Sequence, residues 1–83
     1  MIKKLYERMV LAEQIADITE RIYNADCENE EKEKMFDEAY KHQFECTEEL
    51  IKELCKYGYD AKTWRKVLMT KREQIEALMK KTA

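Results

Sequence analysis

"KYGYDAKTWRKVL", Lys56 to Leu68, contains the only glycine of an 83-residue chain that has no proline. Gly58 is the one position suited to a left-handed backbone, so a helix is expected to end at Tyr57. Asp60 then supplies a short side-chain oxygen that can accept from the free amides of a new first turn. The spacing predicts a helix over 61–81 whose seam is Ala61, Trp64, Leu68, Lys71, Ile75 and Leu78, stepping by three and four residues. Lys71 sits in that seam on the expectation that its stem lies along the apolar surface and its charge reaches water. Whether this corner is the bend of a bundle or a DNA-reading unit decides the fold.

Upstream, a helix is predicted over 30–57. Its seam is Phe36, Tyr40, Gln43, Thr47, Leu50, Leu54 and Tyr57, with Phe44 and Ile51 widening it. Gln43 and Thr47 place polar groups mid-seam, where they set register or where Thr47 caps a second segment. Asp26 or Asn29 is the expected N-cap, and Glu28, Glu30, Glu31 and Glu33 crowd the end that the helix dipole favours for acids.

The first helix is predicted over 2–25. At about 100° per residue its apolar side chains fall on two stripes. Ile2, Leu5, Met9, Ala12, Ala16 and Tyr23 form one, and Leu11, Ile15, Ile18, Ile22 and Ala25 the other. A single neighbouring helix cannot cover both. Either the helix is wedged between two partners of its own bundle, or one stripe meets another subunit. Leu11, Ile15, Ile18 and Ile22 are the expected self-association residues, with Ile2, Leu5 and Met9 as the other choice.

The fold expected is therefore all-α: one domain over 1–83, a small antiparallel up-down-up three-helix bundle completed by homodimerisation. Composition agrees. Charged residues make up 41% of the chain and hydrophobic residues 45%, with serine and proline absent, a mix that favours continuous helix over turns. So small a chain buries a limited core, which favours association.

The same composition excludes functions. Net charge is −2, so nothing global points to nucleic acid or anionic membrane. The longest purely apolar run, "MVLA" at Met9 to Ala12, is far too short to span a bilayer, and "MIKKLYERMVLAEQ" lacks a secretory core. Three cysteines without metal spacing fit free thiols and a cytoplasmic setting. No serine is present for a serine hydrolase, and one glycine cannot build a phosphate loop. His42 and Cys46, one helical turn apart, are within reach of each other, but Glu38, Glu45 and Glu49 would raise the thiol's pKa and oppose a nucleophile. Those two side chains are also too few to hold zinc, and the Glu-x-x-His pattern of di-iron bundles fails at Ala39. The expectation is a non-enzyme with no catalytic residue, metal or cofactor.

Charge is divided along the chain. From Glu28 to Tyr57 there are ten acids and five bases, whereas from Ala61 to Lys81 there are seven bases and two acids. This fits an acidic helix packed beside a basic one. It also fits a basic face offered to an anionic partner, and Lys62, Arg65, Lys66, Arg72 and Lys80 fall on one side of a continuous third helix. The segment Ile51–Leu68, "IKELCKYGYDAKTWRKVL", is similar to bacterial helix-turn-helix units, with Gly58-Tyr59 as the turn and Lys62, Thr63, Arg65 and Lys66 early on the recognition helix. That resemblance implies a DNA-binding regulator. Against it, both helices are long for such a unit, and Leu54 stands where close crossing wants a small residue. The leading expectation is a small intracellular protein that self-associates and binds another protein, with nucleic-acid binding as the alternative.

Overall fold

The computed structural model describes residues 1–82 and is all-helical. Its four α-helices are α1 (Ile2–Ala25), α2 (Glu30–Leu54), α3 (Ala61–Thr70) and α4 (Arg72–Thr82), and a short 3-10 turn, Cys55–Tyr57, follows α2. Among the described residues none is long and apolar enough to cross a membrane.

The long hairpin of α1 and α2 is closed by local chemistry at its tip. The Asn29 side chain accepts from the amides of Glu31 and Lys32, which makes Asn29, not Asp26, the cap of α2. Asp26 instead pairs with Lys32 at 3.3 Å. Glu30, Glu31 and Glu33 occupy the first turn, where their charge is favourable. Tyr23 meets Phe36 edge-on at 5.5 Å, and Phe36 stacks on Tyr40 at 5.8 Å. At the other end Arg8 pairs with Glu49, so the two helices lie antiparallel over their length. Thr47 neither caps nor breaks α2. Its hydroxyl donates to the Gln43 carbonyl and the helix runs through.

Gly58 turns the chain as expected, at φ +136°. The Asp60 carboxylate accepts from the Thr63 amide at 2.8 Å and starts α3. These bonds to Thr63 hold the Asp60 carboxyl below its ordinary value. Arg65 pairs through both terminal nitrogens with Glu48, which ties α3 to α2. Trp64, Val67 and Leu68 face the hairpin, and Tyr59 packs on Trp64.

Beyond Thr70 the expected third helix divides. Lys71 leaves helical geometry at φ −142°, ψ 52°, with no glycine or proline to account for it. It is exposed, not laid in a seam. Arg72 explains how the break is held. Its Nε donates to the Leu68 carbonyl at 2.7 Å, satisfying an acceptor that the end of α3 leaves open. Its two terminal nitrogens donate to the Glu13 carboxylate at 2.8 and 2.6 Å. Accepting those bonds, Glu13 raises the guanidinium's pKa above its ordinary value. The Lys71 carbonyl accepts from Gln74 and opens α4. Met79 and Lys80 then lie beside Lys3 and Tyr6, so α4 runs back toward the start of α1.

The core accordingly sits at the base of the hairpin. Ile2, Met9, Leu50, Ile51, Leu54, Trp64, Leu68 and Ile75 pack there, with Leu5, Tyr6, Val10, Leu78 and Met79 around them. Six of these, Ile2, Met9, Leu50, Ile51, Leu54 and Ile75, are at most 2% exposed, and each such burial contributes about 1.5–3 kcal/mol. Among the described residues no third helix covers the upper half of the hairpin, where Tyr40 and Phe44 stay exposed.

Candidate interaction surface

The α1 stripes have opposite fates. Ile2, Met9, Ala12 and Ala16 are buried against α2, and the stripe continues through Thr19, whose hydroxyl donates to the Ala16 carbonyl. Leu11, Ile15, Ile18 and Ile22 are between 38% and 56% exposed. They line three turns at i, i+3, i+4 spacing and form an apolar ridge of large side chains. By helical count this ridge faces away from Glu13, and therefore away from α3 and α4. Met35 of α2, also exposed, lies by the same count on the ridge side, near its tip end. Branched aliphatic side chains left in water on one continuous helix face are the usual mark of an association surface.

The basic residues do not assemble into the single face expected of a continuous third helix. Arg65 is taken up by Glu48 and Arg72 by Glu13, both directed at the hairpin. Lys62 and Lys66 remain exposed, one turn apart on α3. Lys80 rides on α4 and lines the groove with Lys3, Tyr6, Glu7, Glu76 and Met79. The break at Lys71 is the physical reason: it puts Arg72 and Lys80 on a helix that reverses direction.

His42 and Cys46 do meet, with Sγ 3.6 Å from Nε2. The thiol, however, is buried in the core and not on the acidic outer face. Packing of α1 against this side of α2 covers it, a long-range effect that the α2 pattern alone does not reveal. Among the described residues no three His, Cys, Asp or Glu side chains converge as metal ligands. Cys27 and Cys55 are exposed and unpaired.

A second apolar region lies on the α2 seam, whose periodicity places it in the core. Tyr40 and Phe44 are well exposed, and so is Met69 at the end of α3. Glu20, Phe36, Asp37, Tyr40, Lys41 and Phe44 line a shallow groove of ≈570 Å³ along the upper hairpin. The α2 seam marks these positions as apolar. Their exposure follows only from the third helix stopping short.

No protein family, curated protein or solved structure matches this chain.

Proposed function

We propose that this chain is a small non-enzymatic interaction protein that self-associates through the α1 ridge. The observation that carries the reading is the exposure of Leu11, Ile15, Ile18 and Ile22 on one face, while the neighbouring stripe of the same helix is buried. Pairing two ridges about a twofold axis covers both at once, because a twofold interface uses the same patch on each copy. A protein partner of complementary apolar shape competes for the same face. The reading puts the protein in the cytoplasm, and its three free thiols support that. Nucleic-acid binding is the weaker proposal, since two of the five basic residues it draws on are already neutralised by Glu13 and Glu48.

Light scattering after size exclusion tests the proposal. The protein at micromolar concentration is expected to exceed its 10.1 kDa monomer mass. Ile15→Asp with Ile18→Asp is expected to return it to the monomer with helical content unchanged. A wild-type monomer at every concentration would refute self-association.

A further inference from the structure

We infer that α4 has a second docking position: the upper groove of the hairpin, reached when α3 and α4 join into one continuous helix. The groove is the direct continuation of the path of α3. Arg65 faces Glu48, and Met69, four residues on, lines a cavity with Gln43 and Thr47. Each further residue on α3 therefore meets a residue correspondingly earlier on α2. Extended in register, Ile75 reaches the level of Glu38, Leu78 that of Met35, and Thr82 that of Glu31, just short of the hairpin turn. The length of the segment matches the length of hairpin left uncovered.

The faces match as well. At about 100° per residue, Ile75, Leu78 and Met79 share the face of Trp64 and Leu68, which already packs on the hairpin. A continuous helix sets that face over Phe36, Tyr40 and Phe44, which are now wet or half-buried. Nothing in the hinge opposes joining, since Met69, Thr70, Lys71 and Arg72 include neither glycine nor proline. What holds α4 at the base is the buried Ile75, its flanking Leu78 and Met79, and the Arg72–Glu13 pair. The hairpin thus presents two apolar surfaces to one amphipathic helix. Docking at the base packs Ile75 into the cluster that holds Ile2 and Met9 and sets Met79 beside Tyr6, and docking above covers Phe36, Tyr40 and Phe44. This exchange takes place on the side of the hairpin away from the α1 ridge and does not depend on it.

Native Cys27, exposed at the tip, is the reporter. With α4 at the base, Thr82 and Cys27 lie near opposite ends of a hairpin about 36 Å long, beyond the reach of a short bismaleimide. In the joined helix they are neighbours. The protein carrying the exposed-site changes Thr82→Cys and Cys55→Ser is treated with that reagent, and intrachain linking is followed by mass. A slow intrachain link is expected. Glu13→Gln, which removes the charged partner of Arg72, is expected to speed it at least threefold, and Lys71→Ala, which favours helix at the hinge, is expected to act in the same direction. Lys3→Cys with Lys80→Cys, in protein with Cys27 and Cys55 replaced by serine, reports the base position and should link readily. Ready linking of that pair, with no intrachain link from Cys27 in any of the three proteins, overturns the inference. Cys27 linking only between two chains overturns it too.

Discussion

Ile51 and Ile18 allow the same chemical change, isoleucine to alanine, at two helix positions that differ in what covers them. Ile51 is 2% exposed and sits in the basal core, whereas Ile18 is 56% exposed on the α1 ridge. Ile51→Ala removes buried methyl and methylene groups and leaves a cavity, at a cost of about 2–5 kcal/mol. An 83-residue domain at ~0.05–0.15 kcal/mol per residue is stable by about 4–12 kcal/mol, so this change removes a large share of the total. Ile18→Ala loses little packing within one chain and slightly improves helix propensity, so its cost in dilute monomer stays within about 0.5 kcal/mol. Self-association through the ridge adds a term that grows with concentration. Where partner is present at about 100 times the dissociation constant, binding stabilises by ~2.7 kcal/mol, and Ile18→Ala forfeits part of it. The assay is urea unfolding followed by helical circular dichroism and by the fluorescence of Trp64, the only tryptophan, at two protein concentrations about a hundredfold apart. Ile51→Ala should lower stability equally at both. Ile18→Ala should matter only at the higher one. A cost below about 1 kcal/mol for Ile51→Ala, or above about 1 kcal/mol for Ile18→Ala in dilute protein, would refute the assignment of core and ridge.

Three further outcomes are expected. Gly58→Ala should destabilise by about 1–3 kcal/mol through backbone strain alone, because φ is +136° while an added Cβ meets nothing within 4 Å; an unchanged urea midpoint would show that the turn relaxes. The Asp60 carboxyl titrates below its ordinary 3.8 in the folded chain, so unfolding takes up a proton there, and the stability it lends is complete above that value and lost as pH falls through the lowered one. Asp60→Asn keeps a capping oxygen and should flatten that part of the acid limb in melting temperature measured against pH, whereas an identical limb would show that Asp60 does not contribute. Duplex DNA should bind weakly at low salt and not at physiological salt, and a sequence reproducibly selected from a random duplex pool at physiological salt would favour the helix-turn-helix reading.

Much of the secondary structure could be read from the residues because its causes are local. Asn29 and Asp60 start helices by accepting amides two or three residues away, and Gly58 ends one through its own backbone freedom. The predicted spans 2–25 and 30–57 coincide with α1 and with α2 plus its 3-10 turn. Periodicity likewise marked the two stripes of α1, of which Ile2, Met9, Ala12 and Ala16 are buried and Leu11, Ile15, Ile18 and Ile22 exposed.

Periodicity could not say what covers each face, and here the tertiary structure decided. The seam from Ala61 to Leu78 runs unbroken through Lys71, yet the chain leaves the helix there because Arg72 bonds at once to Leu68 and to Glu13, a partner 59 residues away. That long-range contact, with the burial of Ile75, turns α4 back to the base. It leaves Tyr40 and Phe44 uncovered and parts Lys80 from Lys62 and Lys66. Cys46 is buried for the same kind of reason, since α1 comes to lie over it. An apolar stripe is a property of a dozen neighbouring residues, and its burial is a property of distant ones. The sequence by itself therefore determined the first two helices, the start of the third at Asp60 and the turn at Gly58. Which stripe became core, and which was left in water as the α1 ridge, was settled only when the helices packed.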